Sequence, residues 1–105
     1  MMERNGIPQY TADELKTILK DGKTKVIDVR TPEEYAEGHI PNVPLCPMQE
    51  VADWMNELHP EESYVFICRS GNRSQRVAEF LKSNGFDHVA NYDGGMLAWD
   101  GELEK

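Results

Sequence analysis

Two short runs of consecutive apolar, largely β-branched residues, "KVIDV" (25–29) and "YVFIC" (64–68), constrain this chain more than anything else in it. Strands that read as unbroken apolar runs instead of alternating are buried on both faces. They require helices above and below, and the segments between them have that pattern. "YTADELKTILKDG" offers Thr11 as a cap, Glu14 three residues later, Leu15, Ile18 and Leu19 on one face, and Gly22 as a stop. "TPEEYAEG" repeats the start signals with Thr31, Pro32 and Glu34 and ends at Gly38. "QEVADWMNEL" predicts a helix with Val51, Trp54, Met55 and Leu58 inward. "SQRVAEFLKSNG" predicts another with Val77, Phe80 and Leu81 inward and Gly85 past its end, opened by Ser74 or its neighbour. "HVANY" reads as a third strand and "GGMLAWDG" as a last helical turn. "HIPNVPLCP" is too rich in proline for a central strand, so at most Asn42 to Leu45 pair, near a sheet edge. Strands alternating with helices predict an α/β domain with a mainly parallel sheet covered on both faces.

A chain of 105 residues fits one domain, predicted over 1–105 with its core over about 8–100. Eleven basic residues against 19 acidic ones give a net charge of −8, and the acids are scattered, which argues against nucleic acid or an anionic membrane as partner. No segment approaches the roughly 20 apolar residues that cross a bilayer, and the N-terminus has no apolar run of signal-peptide length. The expectation is a soluble, cytoplasmic protein. Two cysteines without a CxxC pair, and His39, His59 and His88 away from ligand spacing, predict neither a disulfide framework nor a metal site. A free thiol in a reducing compartment follows.

Cys68 ends one of the two buried strands, and only Arg69, Ser70, Gly71, Asn72 and Arg73 separate it from Ser74. In open parallel sheets ligands bind beyond these strand ends. A turn this short, with Gly71 free to take positive φ, tends to point backbone N–H groups inward as an anion nest beside the helix N-terminus. Helix N-termini and nearby arginines favour the thiolate. Two charge-assisted bonds of about 1.5 kcal/mol each would lower a thiol pKa by about two units. The plain alternative is a small buried hydrophobe. Against it stand Arg69 and Arg73, a local reversal of charge in an acidic chain and unfavourable to the helix dipole, which a site that recruits anions explains.

"CRSGNRS", with "VIDVRTPEEYAEGHIP" upstream and "NGFDHVANYDGGMLAW" downstream, resembles the rhodanese (sulfurtransferase) family, over about Tyr10 to Trp99. The resemblance implies a three-layer α/β domain with a five-stranded, mainly parallel sheet. It implies that Cys68 takes a sulfane sulfur from an anionic donor such as thiosulfate, forms a persulfide, and passes it to cyanide, a thiol or a protein acceptor without a cofactor. Arg69, Ser70, Gly71, Asn72, Arg73 and Ser74 would form the cradle, with Arg73 orienting the donor as a planar fork. "GHIPNVPLCPM" is about two residues shorter than the family's usual run, which marks the path after His39 as local to this chain. Cysteine phosphatases and arsenate reductases share the Arg-terminated loop but place five residues between Cys and Arg. The four here make a cradle too small for a phosphate ester. A persulfide carrier or a binding module for a protein partner is the remaining alternative, since fold does not fix function.

Among other residues, Arg30 is a candidate to add to the positive field, although an internal ion pair with Asp28 is favoured. His39 reads as a satisfied hydrogen-bonding residue, and Gly94 and Gly95 as the turn that packs Trp99 on the sheet. Cys46 is open between a resolving thiol for Cys68 and a buried or incidental cysteine.

Overall fold

The computed structural model describes residues 2–105. Its elements are β1 (Met2–Arg4), β2 (Ile7–Tyr10), α1 (Ala12–Asp21), β3 (Lys25–Asp28), α2 (Pro32–Glu37), α3 (Val51–Trp54), β4 (Tyr64–Ile67), α4 (Asn72–Lys82) and β5 (Val89–Tyr92). The sheet runs β1-β2-β5-β4-β3. β1 and β2 are antiparallel, and every other pairing is parallel. This is the expected mainly parallel five-stranded sheet with helices on both faces.

Strand alternation divides the core into two layers. Tyr64, Phe66 and Cys68 join Val77, Ala78 and Leu81 of α4 and Trp54 of α3 on one face. Val65 and Ile67 join Leu15 of α1, Tyr92 and the partly buried Trp99 on the other. Both predicted capping boxes form: Thr11 and Glu14 cap α1, and Thr31 and Glu34 cap α2. Gly22 closes α1 in the left-handed conformation, with φ 72°. No helix among the described residues is long and apolar enough to cross a membrane.

The structure corrects three expectations and bears out a fourth. The N-terminal hairpin supplies two strands that periodicity misses, because β1 is exposed and carries no apolar face. Its turn is Asn5-Gly6, both at positive φ, the pair that a tight two-residue hairpin demands. The stretch after His39 stays within its expectation: after a turn with Asn42 at φ 67°, Leu45 alone pairs, in a single bridge to Asp28 at the β3 edge. "QEVADWMNEL" breaks into α3 and two flanking 3-10 turns; Trp54 is buried, and Val51, Met55 and Leu58 pack partly buried against the same core layer as expected. Finally, α4 starts at Asn72, two residues before Ser74, and Phe80 lies on its outer side, 41% exposed.

Candidate functional site

The alternation that buries Tyr64 and Phe66 also turns Cys68 toward the start of α4. Its side chain is fully buried. Gly71 holds the N-cap position at φ 91°, and its N–H donates to the Cys68 Sγ at 3.1 Å. One turn into the helix, Ser74 Oγ lies 3.2 Å from the same sulfur. Two glycines allow this geometry. A Cβ on Gly71 would stand 2.1 Å from the Asp93 carbonyl oxygen, and one on Gly95 would stand 2.3 Å from the Arg69 carbonyl oxygen. Gly95 therefore lets the β5 exit lie against the loop, where Met96 N–H donates to the Cys68 carbonyl and Leu97 N–H to that of Arg69. Trp99 does pack against Tyr92 of the sheet after this turn, and Gly95 in addition makes this closer contact with the loop.

Burial pushes the Cys68 thiol up, but the Ser74 hydroxyl and the backbone N–H groups of Ser74, Ser70 and Gly71 outweigh it and hold the thiol below its ordinary pKa. The lowering comes chiefly from converging donors, and of the arginines named by the sequence Arg73 adds only a weaker coulombic attraction. Both terminal nitrogens of Arg73 are held by Glu34, at 2.7 and 2.8 Å. This pair, opposed by burial and helped by Thr31, brings the Glu34 carboxyl down to about 2. The free planar fork expected of Arg73 is thus already occupied, because the residue that closes the α2 capping box also faces α4. Arg30 is likewise committed: it is buried, with Nε on Asp28 at 3.0 Å and Nη2 on the Gly38 carbonyl at 2.8 Å. It forms the internal pair, not part of an open anion field.

Of the predicted residues, the structure gathers Gly71, Ser74 and the backbone N–H of Ser70 on the sulfur and leaves Arg69, Asn72 and the Ser70 side chain exposed on the loop's outer side. Arg69 makes no ion pair among the described residues. It borders a depression of about 320 Å³ shared with Arg30, Glu34, Glu37, Met96 and Leu97. His39 stacks on Tyr35 at 3.7 Å, and its Nδ1 meets the Tyr35 carbonyl, the structural use expected of it.

Four residues escaped the sequence reading. Arg4 Nη2 donates to the Gly71 carbonyl at 3.1 Å. Asn91, Gln9 and Gln75 are buried amides behind Ser74. Their one sequence signal was a polar residue inside an otherwise apolar strand, as in "HVANY" and "IPQY", or on the inward side of a helix.

Residues 11–102 match the rhodanese-like domain family. The chain belongs to that family. It is 45% identical over 94 residues to YtwF of Bacillus subtilis, named as a candidate sulfurtransferase, covering 90% of each chain. It is 37% identical over 101 residues to YrkF of the same organism, named as a candidate sulfur carrier protein; the match covers 95% of this chain and 55% of that one. The crystal structure of a rhodanese-like domain protein from Staphylococcus aureus superimposes with a TM-score of 0.85 at 44% identity, covering 93% of this chain and 97% of the other. The rhodanese-like match begins after β2, so the N-terminal hairpin, with the Arg4 that touches the loop, lies outside it.

Proposed function

We propose that this rhodanese-like chain transfers sulfane sulfur through Cys68. The observation that carries the reading is the convergence of the Gly71 N–H and the Ser74 hydroxyl on the Cys68 sulfur at the mouth of α4. The thiolate attacks the outer sulfur of an anionic donor such as thiosulfate. The donor's S–S bond breaks, sulfite leaves with the electron pair, and Cys68 becomes a persulfide. Cyanide or a thiol then attacks the terminal sulfur and Cys68 departs as thiolate, ready for a second cycle. Atoms and electrons balance without a metal or an organic cofactor. The donors that favour the thiolate also face the negative charge of the persulfide, a sulfur counterpart of an oxyanion hole. Arg69, the loop cation without an ion pair among the described residues, is the residue left to draw the donor in, while Arg73 anchors α4 to α2 through Glu34. A reducing, cytoplasmic setting would keep the thiol free. The names given to YtwF and YrkF support sulfur chemistry of this kind.

A second reading, delivery of the persulfide to a protein acceptor with little turnover of small donors, draws on Leu97. This residue is 69% exposed beside Arg69 at the loop rim, an apolar point that a docking acceptor would cover. One experiment addresses both readings. Intact mass of the reduced protein is measured before and after thiosulfate, then after cyanide. A gain of one sulfur that cyanide removes, that persists in Cys46→Ser and is absent in Cys68→Ser, supports transfer through Cys68. Loading followed by slow turnover with cyanide favours the protein acceptor. Full sulfur loading of Cys68→Ser would end the proposal.

A further inference from the structure

The Ser74 hydroxyl has one proton and two acceptors, Cys68 Sγ and Asn91 Oδ1. Behind it lies a buried run of amides whose orientation three backbone carbonyls dictate. Asn91 Nδ2 donates to the Gly71 carbonyl at 3.0 Å and to Gln9 Oε1 at 2.8 Å. Gln9 Nε2 donates to the Ile7 carbonyl at 2.9 Å and to Gln75 Oε1 at 2.6 Å. Gln75 Nε2 donates to the Arg4 carbonyl at 2.9 Å and to Glu79 Oε2 at 2.7 Å. Flipping any one amide would set an oxygen against a backbone carbonyl, so Asn91 must present Oδ1 to Ser74. Every donor in the run then points the same way, from Ser74 outward to the Glu79 carboxylate, and each bond strengthens the next.

We propose that Asn91 is a positioning residue that competes with the Cys68 sulfur for the single Ser74 proton and thereby sets how readily that sulfur carries negative charge. The inference rests on the sulfur chemistry proposed above but concerns a property that can be measured without it. With a neutral thiol, S–H donates to Ser74 Oγ, Ser74 donates to Asn91, and the run is complete from Cys68 to Glu79. With a thiolate, the hydroxyl must turn to the sulfur, and Asn91 Oδ1 is left buried without a donor. Leaving a buried acceptor unpaired costs on the order of one pKa unit, so removing the competitor lowers the ionisation midpoint of Cys68 by about that amount. The run thus restrains the thiolate that the loop N–H groups promote. The other charged groups around the loop are Arg69, the Arg73–Glu34 pair, the buried Asp28–Arg30 pair, and Asp93 with Arg4 from β1. None of them touches Ser74 Oγ, and their fields are common to all variants compared below.

The test is the pH dependence of Cys68 alkylation by iodoacetamide, read by mass in the full-length chain with Cys46→Ser so that one thiol reports. Asn91→Ala lowers the midpoint by about one unit, equivalent to about tenfold faster alkylation at a pH below it. Adding Ser74→Ala cancels that difference. Glu79→Gln, at the exposed end of the run, keeps the acceptor but removes the charge that polarises it. It gives a smaller downward shift, about twofold in rate, that Ser74→Ala also cancels, and it serves if Asn91→Ala does not fold. A shift of the same size with and without Ser74, an upward shift, or no shift in either variant overturns the inference. If the cycle behaves as stated while thiosulfate leaves no sulfur on Cys68, the proposed function fails and this inference stands.

Discussion

Cys46 and Cys68 carry the same thiol and pack against the same core layer, one on each side of Val29. Cys68 continues β4, where the chain turns at once into α4 and folds its N–H groups back onto the sulfur. Cys46 lies beyond the β3 edge. Its own N–H bonds to the Asp28 carbonyl, and no donor among the described residues reaches its sulfur. Burial raises the Cys46 thiol, and Glu57 and Glu50 raise it further. Burial opposes ionisation at both sites, and only at Cys68 is it overcome, by hydrogen-bond donors. The difference between the two thiols is thus made by the Ser74 hydroxyl and the loop N–H groups more than by exposure or by neighbouring cations.

The largest effect should come from removing that geometry. Gly71→Ala forces a side chain into left-handed backbone with its Cβ 2.1 Å from a carbonyl oxygen, so the loop must move. The expected outcome is loss of sulfur loading by at least about two orders of magnitude and about 2–4 kcal/mol of stability. Gly95→Ala attacks the same loop from the β5 side and should act in the same direction, leaving a Cys68 that titrates as Cys46 does. Intact mass after thiosulfate, together with urea unfolding, reads both effects. Retention of loading in Gly71→Ala would mean that the thiol's donors do not depend on the loop backbone.

Next in size is Ser74→Ala, which deletes one donor and leaves the backbone N–H groups in place. The Cys68 midpoint should rise by about half to one unit, narrowing its separation from Cys46 without closing it. A pH series of alkylation on tryptic peptides of the wild-type chain gives both midpoints at once. It should place Cys68 below the ordinary thiol value and Cys46 above it; the reverse order would invert the comparison.

The same logic separates what the sequence shows from what it hides. Buried strands, capping boxes and the Cys68 turn are local, so "KVIDV", "YVFIC", Thr11 with Glu14, and Gly71 are readable from neighbours a few residues apart. Partners across the fold are not. Arg73 lies 39 residues from Glu34, and nothing local to "CRSGNRS" reveals that its fork is already taken. Gln9 and Asn91 are 82 residues apart and meet because β2 pairs with β5. The hairpin has one local signal, the Asn5-Gly6 turn, which stands alone because the flanking β1 has no apolar face.

Glu34 supplies a pH test of smaller size. Its folded carboxyl titrates at about 2, below the ordinary value of about 4.3. A depressed carboxylate adds stability that is fully present above the unfolded value and is lost as pH falls toward the folded one. Because the pair is partly exposed, its contribution is modest, about 1 kcal/mol or less. Urea midpoints measured between pH 5 and pH 2 should therefore fall more steeply in the wild type than in Glu34→Gln. Parallel curves would mean that the clamp adds nothing to folding.

The smallest effect concerns Cys46 itself. Leu45 bridges to Asp28 and Asp28 pairs with Ile67, so one strand separates the two cysteine-bearing segments. Two interstrand spacings come to about 9–10 Å between Cα atoms, beyond the ~7 Å that a disulfide spans. A resolving role for Cys46 therefore requires the β3 edge to open, and a tryptic map after mild oxidation should contain no Cys46–Cys68 peptide. If Cys46 is restrained mainly by burial, Glu57→Gln lowers its alkylation midpoint by only about a few tenths of a unit, since the carboxylate is a lesser cause than burial and Glu50 remains. A drop of a full unit would mean that charge, not burial, keeps this thiol protonated, leaving the missing hydrogen-bond donors as what still separates it from Cys68.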